Sequence, residues 1–394
     1  MTRRTDSRAS RVGVRWMPIT FLLILAAFAC KSSIAEKSPG AKDWPSFRGD
    51  PGQTGWVSQS LPENLELLWL YEASDGFEGA AAVADGSVFA ASLDGVLHAV
   101  SLRTGKPEWT YETGEEVRSS PAVRDGLVYF GDGSGTFHAI VAADGKVRWT
   151  LDAEAEIVSS ANFDAGRVYF GSHDESVYAV SASDGALAWK VATEGYVYGA
   201  PAISEGRVIS AGCDGQLRLL RSSDGEELLR VGLGGYVGAS PATRSGRVYV
   251  ATYESEVLAI DLAAGEVAWR YAPDDRQLPF LSSPATDGER VIVGGRDKRV
   301  HALSAANGKL LWSFATRSKV DSSPVIAGDR VYIGLTSGEV VALDLRSGEK
   351  LWSFDTGAPI VGSPSVAQGR LLIGNTAGGL FCFGAPGPED RAKP

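Results

Sequence analysis

Tryptophan recurs in this chain with a regularity that leaves few folds open. Trp69, Trp109, Trp149, Trp189, Leu229, Trp269, Trp312 and Trp352 are separated by 40, 40, 40, 40, 40, 43 and 40 residues, with leucine standing in once. A repeat of this length marks stacked units, each burying its apolar face on the next. The eight periods run through nearly the whole chain and leave no room for a second domain. Trp16 lies near the N-terminus, and Trp44 and Trp56 lie in a segment preceding the first period.

The second period shows what each contains. Residues 119–123, 127–131, 136–141 and the stretch around Trp149 are short runs rich in β-branched and aromatic residues. Asp125-Gly126 and Asp144-Gly145 separate them, as two-residue hairpin turns require. We label the four runs A to D. Four antiparallel strands per period predict a propeller blade, and eight periods predict an all-β, eight-bladed β-propeller over residues 44–385. The first D run, 65–72, precedes the first A run, and the last A–B–C set, 363–383, has no D run after it. The ring is therefore expected to close by pairing 65–72 with the C-terminal strands, removing the edges of an open array. Two small residues, from Gly79-Ala80 to Gly362-Ser363, open every A run, as crowding at the axis demands, and proline follows in most.

Residues 1–29 are expected to be a signal peptide outside this fold. Arg3, Arg4, Arg8, Arg11 and Arg15 precede an apolar run, 16–29, that is short for a membrane span. Its end, Ala27-Phe28-Ala29-Cys30, reads as a lipobox with Cys30 acylated, or as an ordinary cleavage site, with an uncleaved anchor as a third reading. Residues 30–43 read as a linker and 386–394 as a disordered tail. Cys213 and Cys382 fall in the fourth and eighth blades, too far apart to bridge, so no disulfide framework is expected. Removing the leader takes away five arginines and Asp6, which moves the formal charge from −10 to −14. That sign argues against nucleic acid and against anionic membranes as partners, leaving a lipid anchor as the membrane contact. A monomer is expected.

The unit ALDLRSGEKLW (342–352) resembles the PQQ-type propeller repeat with its tryptophan-docking motif. The lead-in DWPSFRGD (43–50) resembles the segment before the propeller in quinoproteins and in many secreted PQQ-repeat proteins. In size and single-domain form the chain is similar to the BamB family of outer-membrane assembly scaffolds. That resemblance implies an exported, non-catalytic scaffold, in the periplasm or at the periplasmic face of the outer membrane. It also implies an envelope protein partner, the β-barrel assembly machinery, and no cofactor. The enzymatic relatives imply instead an oxidoreductase using PQQ with calcium. Those enzymes are usually longer, with pocket-building insertions, and many carry an adjacent cysteine pair; this chain has neither, and no Asp–Glu–Asn calcium set stands out by spacing. A secreted propeller binding carbohydrate or cell wall is a third reading.

His98, His138 and His301 look catalytic until placed in register. Each lies eleven residues before its tryptophan, where other blades carry Tyr178, Arg218, Leu258, Val341 and Phe381, so the position reads as packing. No spacing forms a metal-ligand set. The stretch GDGSG (131–135) lacks the lysine and following helix of a phosphate loop. Glu115-Glu116 and Asp274-Asp275 read as solvated turns, and Arg48-Gly49-Asp50 as a chance tripeptide.

Function is expected where the repeat breaks. Just before strand A the blades offer Glu78, Arg118, Val158, Tyr198, Gly238, Leu281, Asp321 and Val361. At the B–C turn they offer Leu93, Gly133, His173, Cys213, Tyr253, Arg296, Thr336 and Thr376. D–A and B–C loops share one face of such a blade, and the one change of period, within 273–279, is a D–A loop. The predicted binding face is ringed by Arg118, Tyr198, Asp321, His173, Tyr253 and Arg296; no catalytic residue is assigned. Leu229 is the other break. Ten residues before each tryptophan stands alanine, or Cys382 at the closure, but before Leu229 stands Leu219. Trp/Ala has become Leu/Leu at roughly constant volume, which predicts a repaired core rather than a site.

Overall fold

Every period folds into the meander that its pattern predicts. The computed structural model describes residues 43–274 and 277–386, which belong to one compact unit; the leader, Cys30, Asp275 and the C-terminal tail lie outside the described residues. Eight antiparallel sheets follow one another in the order A–B–C–D, an eight-bladed propeller. In the second blade the strands are Ala122–Arg124, Leu127–Gly131, Thr136–Val141 and Val147–Asp152. B and C keep the expected limits. Strand A begins later than expected, because Pro121 has no N–H to pair and the two serines before it bond elsewhere. Between A and B, Asp125 and Gly126 both have positive φ (51° and 76°), as a type I′ hairpin turn requires.

Glu66–Glu72 pairs antiparallel with Gly379–Gly384, setting Trp69 opposite Cys382 and completing the eighth blade from both ends of the chain. Closure removes the edges that an open array would present, while the outer strand D of each blade keeps one unpaired side. A β-bulge beside the tryptophan position interrupts the C–D ladder of every blade, a device that twists an edge away from intermolecular pairing.

The repeat residues hold blade to blade. Each strand D tryptophan stands opposite the small residue of strand C, as Trp149 does opposite Ala139, which leaves room for the indole. Except for Trp352, whose N–H bonds the Leu65 carbonyl at the closure (3.1 Å), each ring lies on the C–D glycine of the next blade, and its N–H bonds a carbonyl there: Trp109 to Ala142 at 3.0 Å, Trp269 to Ala305 at 3.1 Å. A Cβ on Gly145 (φ 70°) would sit 2.7 Å from the Trp109 ring, so only glycine serves there. Leu229 pairs directly with Leu219, and both pack in one apolar cluster, as the volume argument predicted.

The strand C histidines are buried, and they are more than filler. His138 lies between the hydroxyl of Tyr111, on strand D of the preceding blade (3.3 Å), and Asp132 of its own B–C turn (2.8 Å). His301 repeats this with Tyr271 (3.0 Å) and Asp297 (2.9 Å), and His98 with Tyr71 (2.9 Å) and Ser92 (2.8 Å). In the fourth blade the place is taken by Arg218, ion-paired with Asp214, both almost fully buried. Carboxylates four or six residues before the strand C position were the sequence signal for these clasps.

Candidate binding face and central channel

The inner ends of the eight strands A enclose a channel whose lining follows from sequence position. The second of the two small residues faces the axis and is serine in six blades. Each serine Oγ accepts the N–H of the equivalent residue one blade back: Ala80 to Ser120 (2.9 Å), Ser120 to Ser160 (3.0 Å), Ala200 to Ser240 (2.8 Å), Ser240 to Ser283 (3.0 Å), Ser283 to Ser323 (2.9 Å) and Ser323 to Ser363 (3.1 Å). At the two gaps, the hydroxyl of Ser159 donates to the carbonyl of Gly199 (3.0 Å) and that of Ser365 to Ala81 (2.6 Å). The sequence reading assigned these residues to crowding alone; they also form a hydrogen-bonded belt around the axis.

Beyond the belt, the lead-in closes the channel. Trp44 pairs with Val83, and the carbonyls of Pro45, Pro51, Gly52, Thr54 and Gly55 accept the N–H groups of Val123, Ile203, Thr243, Thr286 and Ile326. Trp56–Val57 then joins Val325–Ala327 as a parallel fifth strand of the seventh blade. Inner edges that would otherwise be bare are thus paired, one blade after another. Arg48 lies wholly buried in this plug, its Nη2 donating to the carbonyl of Pro324, and burial pulls its pKa down to about 9. Asp50 caps the N–H of Thr54 (3.0 Å). Arg48-Gly49-Asp50 is therefore an interior element and not a displayed tripeptide.

Above the plug a cup of about 170 Å³ opens on the D–A and B–C face. Phe47 lines it from the plug side, the six belt serines surround it, and Glu78, Arg118, Tyr198, Leu281, Asp321 and Val361 stand at the opening. Three of the six residues singled out from the sequence, Arg118, Tyr198 and Asp321, thus meet at one mouth. The other three stand on B–C turns beside it. Arg296 forks onto Asp321 (2.8 and 3.2 Å), His173 packs edge-on against Tyr198 (ring centroids 4.3 Å apart), and Tyr253 covers Gly238. They adjoin because each variable B–C residue donates its N–H to the preceding D–A loop, as His173 does to Glu156 (3.0 Å) and Tyr253 to Tyr236 (2.9 Å). One backbone skeleton therefore carries eight different pairs of side chains.

The charges at the mouth are unevenly matched. One guanidinium, Arg118, serves Glu116 (3.2 Å), Glu78 (3.8 Å) and Glu156 (3.8 Å), leaving an excess of negative charge. Asp321 has both Arg296 and Lys319 (3.0 Å). Burial lowers the pKa of His173, with Glu156 opposing, so its ring is neutral near pH 7. Burial raises those of Tyr198, Tyr253 and Cys213, which keeps all three protonated. These groups are hydrogen-bond donors and contact surface rather than nucleophiles. Tyr196 and Tyr236, missed in the sequence, stand exposed on D–A loops, Tyr196 stacked on His173 (ring centroids 5.0 Å apart) and Tyr236 joined through its carbonyl to Tyr253. They lie two residues before Tyr198 and Gly238, where other blades carry Glu116, Glu156 and Lys319, so this D–A position varies as widely as the one beside strand A.

No helix among the described residues is long and apolar enough to cross a membrane. The chain is similar in fold to BamB from Moraxella catarrhalis (20% identity, TM-score 0.71, 82% of this chain and 98% of that one). It is equally similar to the quinohemoprotein alcohol dehydrogenase from Comamonas testosteroni (16%, TM-score 0.73, 87% and 80%) and to a europium-containing methanol dehydrogenase (12%, TM-score 0.75, 88% and 99%). At these identities the likeness is one of fold. No curated protein sequence matches the chain. The profile of the PQQ-repeat family described as "Outer membrane protein assembly factor BamB" matches residues 48–162, 155–228 and 214–391, and the chain belongs to that family.

Proposed function

We infer that this chain is an exported, non-catalytic scaffold that holds a protein partner on its D–A and B–C face, the partner being a component of an outer-membrane β-barrel assembly machinery. The observation that carries this reading is the build of that face. A uniform backbone presents different side chains blade by blade, and the exposed tyrosines Tyr196, Tyr236 and Tyr253 project there from neighbouring loops. Exposed aromatic residues on a rigid frame, rimmed by charge, are what protein-binding surfaces favour.

The quinone-enzyme reading fares less well against the residues present. PQQ is a tricyclic quinone bearing three carboxylates, and its calcium needs several oxygen ligands. The cup is small, its one arginine is already shared by three carboxylates, and Phe47 occupies the base. Among the described residues no three His, Cys, Asp or Glu side chains are grouped to hold a metal ion. These residues do not fit that cofactor.

Crosslinking in envelope extracts tests the scaffold reading. The native chain is expected to recover barrel-assembly components, and a Tyr196→Ser, Tyr236→Ser, Tyr253→Ser variant of unchanged melting temperature is expected to lose them. Equal recovery by both proteins would refute the assignment.

A further inference from the structure

The channel cup has a chemistry of its own, independent of any partner on the rim. Each belt serine accepts a backbone N–H through Oγ, and none of the six hydroxyls has an acceptor for its own proton among the described residues. All six side chains are more than nine-tenths buried, and all six line the cup. A hydroxyl offers one donor and two acceptor sites, so six donors and six remaining lone pairs face the same small space. Buried polar groups of this kind call for partners.

Three physical arguments select the partner. An anion is disfavoured, because four carboxylates (Glu78, Glu116, Glu156 and Asp321) stand against three cations (Arg118, Arg296 and Lys319) around the opening, and each cation is already paired. A cation such as a lysine or arginine side chain is disfavoured, because it brings donors only and leaves six hydroxyl protons unanswered. A plain apolar group answers none of them. Water answers the hydroxyls but leaves the Phe47 ring wet; a neutral molecule whose groups both donate and accept, with one apolar face to lie against Phe47, answers both. Drug-sized ligands occupy pockets of about 300–1,000 Å³; at about 170 Å³ the cup takes one small ring.

The geometry points to a neutral sugar-ring site in the channel cup, with the belt serines bonding the ring hydroxyls and Phe47 packing on its C–H face. Tyr198, protonated at neutral pH, adds a donor at the opening. The ring is either a free sugar or the end residue of a longer glycan.

Ligand-observed NMR with the full-length protein tests this. The probes are a panel of methyl hexosides and N-acetylhexosaminides, the matching trisaccharides, sodium acetate and N-acetyl-arginine amide. Saturable, millimolar binding of at least one glycoside is expected, with acetate and the arginine amide not competing. Val361→Trp, which fills the opening without touching the belt, is expected to weaken glycoside binding by at least about tenfold at unchanged melting temperature. Ser283→Ala is expected to weaken it about threefold to tenfold, one hydrogen bond's worth. Equal affinity for glycoside and trisaccharide assigns a free sugar, and tighter trisaccharide binding assigns a glycan end. Absence of binding across the panel, competition by acetate or the arginine amide, or glycoside binding unaffected by Val361→Trp would each overturn the proposal. None of these outcomes depends on the rim tyrosines, so the protein-scaffold reading stands or falls separately.

Discussion

Two neighbouring seams of the ring are built differently. Between the fifth and sixth blades, the Trp269 indole and the Arg247 guanidinium both donate to the Ala305 carbonyl, at 3.1 and 2.7 Å, and Tyr271 meets His301 at 3.0 Å. Between the fourth and fifth blades the same places hold Leu229, Arg207 and Val231 facing Leu258. Leu229 can donate nothing, Arg207 turns back to Glu205, and Val231 and Leu258 are apolar neighbours in one cluster. At these three places one seam is clasped by directional bonds and the other by apolar packing, although the Ala200–Ser240 belt bond and a bond from Arg270 to the Leu233 carbonyl (2.8 Å) also cross the second seam. The difference teaches that a propeller tolerates the loss of the tryptophan, arginine and histidine clasps at one seam, because the ring is closed elsewhere and the two faces cannot drift apart.

The comparison yields a graded set of outcomes in urea denaturation. Trp269→Ala should cost about 3–5 kcal/mol, and the half-buried Leu229→Ala about 2 kcal/mol. Equal losses would erase the distinction between the seams. Leu229→Trp should overpack the fourth blade by about 1–3 kcal/mol, and adding Leu219→Ala, which restores the Trp/Ala pairing of six other blades, should recover most of it. Additivity of the two changes within about 0.5 kcal/mol would show that the residues are not coupled. Arg247→Ala should cost about 1–1.5 kcal/mol, since it removes bonds to the carbonyls of Ala305 and Ala306, while Arg207→Ala should stay within about 0.5 kcal/mol. A larger loss at Arg207 would reveal a polar clasp at the fourth seam.

The smallest effect is a slope. Burial lowers the pKa of His98, with Asp94 opposing, so the unfolded chain takes up that proton first as pH falls. The stabilising contribution is whole above about pH 6.5 and is lost as pH drops through the folded value. His98→Phe should flatten the melting-temperature curve in that range, whereas Leu258→Val, at the apolar seam, should shift it by the same amount at every pH. An unchanged slope in the histidine variant would place the acid sensitivity elsewhere.

What could be read from the chain was whatever recurs. The Trp69-to-Trp352 spacing fixes the blades, and the Ala139–Trp149 type of pairing follows from two positions kept at constant distance. Arg118, Tyr198 and Asp321 were found as departures from a recurring loop, and they do meet at the channel mouth. The lead-in escaped, because residues 44–57 contact a different blade every few residues and so leave no periodic trace. The serine belt was seen and misread: small side chains satisfy sterics and hydrogen bonding alike, and only the inter-blade N–H distances separate the two. The histidines read as packing, and their clasps escaped, since one partner, tyrosine, sits on the preceding blade.

The pairing of Trp69 with Cys382 sets an order on the life of the molecule. The eighth sheet takes its outer strand from Glu66–Glu72 and its other three from residues 365–384, so the circle stays open until residue 384 has been made. The lead-in is under the same constraint, because its bonding partners run from Val83 to Ile326. Closing so large a loop is entropically costly and comes late, after the local hairpins have formed. Until then the chain is a string of incomplete blades with open β-edges, and its greatest exposure to aggregation falls in the interval before the two ends meet.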